Sequence, residues 1–475
     1  MNQKYKYLLK NTGILTLSNF SSKILVFLLV PLYTEILSTR EYGIFDIIIS
    51  TVQLLMPFLS LNVYEAVMRF LMDKECDNKK VATIGLKYVL IGSISFGLVI
   101  ILNKIFVLSK DFQNFAIYTY IYFVSYLFYQ YISQFSKGLE RVRDIAIAGV
   151  IGTISTVGLN IFLLLFLKVG LWGFLIAYIS GQLLPAIYLS FRISLHKYIM
   201  PNVDRMLEKK MINYSIPLIL NTVGWWINNV SDRYVVTFFC GIATNGIYSV
   251  AYKIPSILNI MQQIFVQAWQ ISAIREYDTV DSAGFYGQAL EMLNFIMCML
   301  CMGLVFFTRP IAYFLFSGDF YLAWKYVPFL LVSGVLNSAS GILGPILIAS
   351  KDSRAMGISA IVGALTNIVL NILLVYYIGA QGAAIATVIS SLAIYLMRRR
   401  AVGNDIRNYN KWALYISWAV IIFQAIMEVC ALGYIFEIVL MGMVIFMYKK
   451  YIIFIYGKIK RMLRVKIFHG GKSNE

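Results

Sequence analysis

Apolar residues fall into fourteen long blocks, near 11–37, 42–64, 81–107, 113–136, 145–167, 171–191, 212–240, 246–270, 286–308, 324–350, 356–378, 380–397, 411–428 and 432–456. A helix that crosses the hydrocarbon core needs about 20 mostly apolar residues, and the blocks meet or approach that length. None carries the two-residue alternation of a membrane β-barrel. The pattern predicts an all-α polytopic membrane protein with about 14 transmembrane helices.

Within the blocks the polar positions are not scattered. Thr12, Thr16, Asn19 and Lys23 recur at steps of four, three and four, which is one helical face. Asn221, Trp225, Asn228 and Asp232 recur at the same steps, 209 residues later. Asp46, Ser50, Gln53 and Ser60 share a face of the second block, and Ser249, Lys253, Ser256 and Gln263 repeat it at an offset of 203, continuing to Gln267 and Gln270. Tyr42-Gly43-Ile44 and Asn245-Gly246-Ile247 carry the same 203. A third match, GxxGxxIA at Gly170–Ala177 and Gly379–Ala386, returns to 209. A repeat this long is no solenoid unit; it indicates two related half-bundles. Six helices per half place both halves the same way up, so the repeat is parallel. The expected organisation is an N-terminal six-helix lobe at 1–200, a C-terminal six-helix lobe at 201–403, two additional transmembrane helices at 404–457 and a basic cytoplasmic tail at 458–475.

Composition agrees and sets the orientation. Of 475 residues 60% are hydrophobic and 13% charged, with mean hydropathy +0.74; a soluble domain carries about 25% charged residues. The formal charge of +18 would raise nucleic-acid binding in a soluble chain, but here the cations lie in short loops. Counting residues at block ends with the adjoining loop, 32 of the 41 Lys and Arg fall on the side of the N-terminus, 6 on the other side and 3 within blocks. That bias puts both termini in the cytoplasm, and makes anionic lipids the expected partner of the tail, Lys458–Lys466.

The chemistry of the blocks is that of binding. Polar stripes on helices 1, 2, 7 and 8 are expected to line a cavity, with Lys23, Asp46, Asp232, Arg233 and Lys253 the charges hardest to explain as packing, since a charge at mid-membrane costs about 3 kcal/mol. An Asp46–Lys253 pair is a structural alternative. Glu291, close to its helix start, suits the helix dipole. The five cysteines are dispersed; Cys298 and Cys301 sit in an apolar run without His and read as packing residues. No catalytic triad, carboxylate pair, metal set or phosphate-binding loop emerges, so no catalytic residue, metal or cofactor is assigned. Prolines 31, 57, 185, 217, 255, 310, 328 and 345 are candidate bends.

Asn-Phe-Ser-Ser-Lys23, Glu41-Tyr-Gly-Ile-Phe45, Ser231-Asp-Arg233 and, above all, Gly246-Ile-Tyr-Ser-Val-Ala-Tyr-Lys253, in that order, resemble the polysaccharide repeat-unit (O-antigen type) flippases of the multidrug/oligosaccharidyl-lipid/polysaccharide exporter superfamily. The resemblance implies a non-enzymatic carrier. Its cargo would be an undecaprenyl-diphosphate-linked oligosaccharide moved across a bacterial cytoplasmic membrane by alternating access, with glycan polymerase and chain-length machinery as partners. On that reading Lys23, Arg233 and Lys253 meet the diphosphate, Asn19, Asn221, Trp225, Asn228, Gln263 and Gln267 meet sugars, and Asp46 and Asp232 couple an ion gradient. A multidrug antiporter, which would want an acidic site for organic cations, and a membrane glycan polymerase or glycosyltransferase, which would want a large outer loop or a catalytic carboxylate motif, remain the alternatives.

Overall fold

The computed structural model describes residues 25, 27–73, 76–106, 110–275, 284–350, 352–403, 406, 409–431 and 433–450. All regular structure among them is helical. The main helices are α1 (Val30–Ile36), α2 (Thr39–Leu59), α3 (Val63–Leu71), α4 (Asn78–Phe106), α5 (Ala116–Gly138), α6 (Val142–Ile161), α7 (Leu171–Ile193), α8 (Arg205–Cys240), α9 (Ile242–Ala251), α10 (Lys253–Arg275), α11 (Phe285–Phe306), α12 (Thr308–Leu315), α13 (Val327–Ala349), α14 (Ser353–Ile378), α15 (Ala380–Val402), α16 (Lys411–Val429) and α17 (Tyr434–Met447). Nine helices among the described residues are long and apolar enough to cross a membrane, and Ile435–Met447 is a shorter apolar one. The chain is a polytopic membrane protein. Three more of the predicted blocks form long helices, α5, α8 and α10, that fall below that apolarity. Their excess polarity is tyrosine in α5 and amide, hydroxyl and charged residues in α8 and α10. Of the first predicted helix, residues 11–24, with Thr12, Thr16, Asn19 and Lys23, lie outside the described residues, as does the tail.

The described residues form two compact units, Met1–Val250 with Tyr313–Leu322, and Ala251–Ala312 with Ala323–Glu475. In the first, a capping box starts α2: the Glu41 amide donates to Ser38 Oγ, and Glu41 Oε2 accepts from the Ser38 amide at 2.8 Å. The block predicted at 42–64 is not one helix. Leu61 and Asn62 adopt left-handed backbone, φ 48° and 55°, and separate α2 from α3. Pro57, which has no N–H for the Gln53 carbonyl, already weakens the last turn of α2. The core is aromatic: Tyr33 stacks on Tyr42 at 5.2 Å, Phe45 meets Phe174 and Tyr178 edge-on at 4.6 Å each, and Phe96 stacks on Phe123 at 4.1 Å.

In the second unit the buried helix α13 is the centre, packed by α10, α11, α15 and α16. Asn294 on α11 fastens the last helices: its Nδ2 donates to Ser417 Oγ (3.0 Å) and Tyr448 Oη (2.9 Å), and its Oδ1 accepts from Trp418 Nε1 (2.7 Å). Glu291 is not a dipole residue. It lies beyond the first turn of α11, 1% exposed, and accepts from Lys450 Nζ at 2.7 Å and from the Asn410 amide.

The repeated glycine motif makes the same turn twice. Gly170 (φ 62°, ψ −141°) and Gly379 (φ 65°, ψ −156°) precede α7 and α15 in backbone that only glycine adopts freely. A Cβ on Gly173 would lie 2.9 Å from Leu163, and one on Gly382 2.4 Å from the Leu374 carbonyl oxygen. The motif is a device for folding α6 onto α7 and α14 onto α15.

Candidate functional site

The other repeat, at 203, brings its own copies into contact inside the first unit. A Cβ on Gly43 would lie 2.0 Å from the Ile242 carbonyl oxygen, and one on Gly246 1.9 Å from that of Thr39. Thr39 and Ile242 are themselves 203 apart. The starts of α2 and α9 therefore cross at two glycines with reciprocal contacts, as equivalent helices do about a local twofold axis. One turn further along, the next equivalent pair meets: Ser249 Oγ donates to Asp46 Oδ2 at 2.7 Å.

Around Asp46 the glycine contact lets three helices converge. Arg233 Nη1, from α8, donates to Asp46 Oδ1 at 2.7 Å and lies 3.4 Å from Ser50 Oγ. Asn245 Nδ2 donates to Asp46 Oδ2 at 3.3 Å. Both carboxylate oxygens are thus used, in a side chain only 7% exposed as a residue. Asp232, next to Arg233, accepts from Tyr248 Oη at 2.8 Å and from the Arg233 amide at 3.0 Å. Neighbouring residues on α8 are therefore matched to neighbouring residues on α9, Asp232 to Tyr248 and the Arg233–Asp46 pair to Ser249. Trp226 Nε1 donates to the Ser50 carbonyl (3.0 Å), and Thr51 Oγ1 and Tyr234 Oη share a hydrogen bond of 2.5 Å. Charge inside an apolar bundle is tolerated when paired and hydrogen-bonded; Asp46 and Arg233 form such a pair, and Asp232 is hydrogen-bonded.

The predicted residues divide accordingly. Asp46, Asp232 and Arg233 come together. Asp46 takes Arg233, where sequence spacing had offered Lys253. Asn228 lies above them on α8, half-buried, donating to its own helix at the Gly224 carbonyl. Asn221 is exposed and Trp225 is 60% exposed, so the α8 stripe runs from an open end to a buried one. Lys253, half-buried, opens α10 in the second unit, and Gln263 is exposed further along it. Asn19, Lys23 and the Gln267 side chain lie outside the described residues. Trp226, Tyr234, Asn245 and Tyr248 were not singled out by spacing. Asn245 had a signal, since the 203 offset pairs it with Tyr42 beside Asp46. Trp226 had none: it sits one position from the stripe, and only packing turns it inward.

A sequence model of a family described as "Polysaccharide biosynthesis protein" matches residues 8–270, more than half of the chain. The probable low-salt glycan biosynthesis flippase Agl15 of Haloferax volcanii is 24% identical over 187 residues, 38% of this chain and 39% of that protein, so the match spans about two fifths of that relative. Among solved structures, lipid II flippase MurJ in an inward closed conformation gives a TM-score of 0.68 at 14% identity, covering 94% of this chain and 99% of the other. An inward-facing multidrug resistance MATE family transporter of the MOP superfamily gives 0.64 at 16%, covering 82% and 95%. At such identities the likeness is one of fold.

Proposed function

Since the chain belongs to the polysaccharide biosynthesis protein family, we propose that it is a flippase for polyprenyl-diphosphate-linked oligosaccharides, the undecaprenyl-linked repeat units of a bacterial surface polysaccharide. It works by alternating access in the cytoplasmic membrane, with both termini inside. One observation carries the reading. Two long helices formed by predicted membrane blocks, α8 and α10, expose amides along their length, Asn221 and Asn229 on the first and Asn259 and Gln263 on the second. Amides cannot face hydrocarbon without cost, so each unit has a helix that turns a polar face to water rather than lipid, and such faces suit a glycan headgroup rather than an apolar drug.

The cargo's diphosphate is met by Arg233, Lys253 and Lys23, its sugars by Asn19, Asn221, Trp225, Asn228, Gln263 and Gln267. Arg233 is partly exposed and tied to Asp46, so an arriving phosphate exchanges with a carboxylate at one guanidinium instead of neutralising a free cation. A carrier of organic cations needs an acid open to the cation; Asp46 is already engaged by three donors, which disfavours the multidrug reading. The test is reconstitution in liposomes with a fluorescent undecaprenyl-diphosphate oligosaccharide, scoring the fraction reached by an external quencher. Flipping above that of protein-free vesicles, reduced at least tenfold by Arg233→Gln, is expected; flipping at the protein-free rate overturns the proposal.

A further inference from the structure

The second unit holds a different acid centre, where α16 turns into α17. Glu428 ends α16 and Glu437 lies in the first turn of α17, at 3% and 2% exposure. Arg309 Nε donates to Glu428 Oε1 at 3.0 Å, and its Nη2 to the Glu428 carbonyl at 2.7 Å, while the guanidinium stacks 4.3 Å over Trp324. The other donor is Gln424, completely buried one turn before Glu428 on α16. Its Nε2 is shared between Glu437 Oε2 (2.9 Å) and the Met302 carbonyl (3.1 Å).

Two facts point the same way. Two carboxyls are buried here and a single guanidinium balances only one negative charge, so the other calls for a proton. The Gln424 amide supplies the second fact, independently of the acids: with Nε2 satisfied twice, its Oε1 is buried and has no donor. A carboxylic acid beside a primary amide closes a two-bond ring, the amide N–H to the acid carbonyl and the acid O–H to the amide oxygen. A proton on Glu437 supplies that missing donor.

We infer that Glu428 and Glu437 hold one proton between them, so that the α16–α17 end of the second unit is a proton-binding site. The other charged groups on the packed helices do not offset it. Arg309 is the one charge of α12 and already serves Glu428. The one charge of α11, Glu291, is at the far end with Lys450. Lys411 begins α16 at the opposite end from Glu428. Cys430 lies in the turn and is exposed. Release is a plain dissociation: the carboxyl O–H breaks, the electron pair stays on the carboxylate, and the proton passes to water at the exposed turn around Cys430, Ala431 and Gly433. Two negative charges then face one guanidinium beneath the turn that joins the last two helices. Binding of this proton is independent of any cargo, so its test needs no transport.

The experiment is infrared difference spectroscopy of the full chain in lipid nanodiscs at neutral pH. The native protein is expected to show a carbonyl band of a buried carboxylic acid that shifts in heavy water. Glu437→Gln, which is isosteric and keeps a donor for Gln424 Oε1, should abolish the band. Gln424→Leu should keep it but shift it by removing the amide partner, and Asp46→Asn should leave it unchanged. A band that survives Glu437→Gln unaltered, or no acid band in the native protein, overturns the inference. If Glu437→Gln does not fold, an unshifted band in Gln424→Leu overturns it equally.

Discussion

The two buried acid centres are built from the same parts and do opposite things with them. In the first unit one carboxylate, Asp46, receives a guanidinium, a hydroxyl and an amide. In the second, two carboxyls divide one guanidinium and one amide. The first has a donor for each oxygen and sits where two copies of a repeat touch. The second is short of donors and lies where α16 turns into α17. A surplus of donors fixes a charge in place, whereas a shortage makes a centre depend on something brought from outside. On the readings proposed above, that newcomer is an anion exchanging with Asp46 at Arg233 in the first centre and a proton in the second.

Removing the cations separates the two most sharply. Arg233→Ala leaves Asp46 buried without its counter-charge, and breaking a buried pair costs about 3–5 kcal/mol; thermal unfolding in detergent should show the largest loss of any single change here. A loss under about 1 kcal/mol, the range of exposed pairs, would remove the distinction. Next comes the glycine crossing that lets the first centre form. Gly246→Ala places a methyl on the Thr39 carbonyl and should cost about 3 kcal/mol, the upper end for overpacking, and lower flipping in step; a neutral Gly246→Ala would show that α2 and α9 can part freely. Arg309→Ala removes hydrogen bonds and the stack on Trp324 for about 2 kcal/mol, less than Arg233→Ala because the second centre can answer the lost cation by taking up a proton. Equal losses for the two arginines would end the comparison.

The smallest effect lies outside both centres. The Asp204 carboxyl caps α8 and is held below the usual carboxylate range, first by the hydrogen bond from Lys80 (2.9 Å) and then by the Leu207 amide. A depressed acid stabilises above its unfolded pKa, and that stabilisation is lost as pH falls through the folded one. Asp204→Asn should therefore lower stability slightly at neutral pH, leave it nearly unchanged in acid, and so flatten the acid limb of a stability-against-pH curve. The pair is exposed, so the change is small, and an acid limb as steep as that of the native protein would assign the loss to other carboxylates.

Much of this was legible in the chain. Apolar blocks gave the helices because spanning length and helical period are local properties. The 203 offset identified Gly43 with Gly246 and Asp46 with Ser249, both of which turned out to touch. The stripe logic did not reach single packing partners: beside Trp225, 60% exposed, it passed over Trp226, which turns inward to Ser50, because steps of three and four do not say which adjacent position packs. It also took Glu291 for a helix-start residue, missing a partner in Lys450 that lies 159 positions on.

By itself, then, the sequence determined that this is a helical membrane protein, where its motifs recur at 203 and 209, and which polar residues are too many to be lipid-facing. Those follow from hydrophobicity and period, which act over a turn or a span. Only the tertiary structure decided which charge meets which. Asp46 takes Arg233 across 187 positions, Arg309 takes Glu428 across 119, and Glu437 falls against Gln424. Ionic and hydrogen-bonding partners are settled within about 3 Å, a distance set by how helices cross at glycines and close at turns, so the composition of the stripes could supply the candidates but not the pairs.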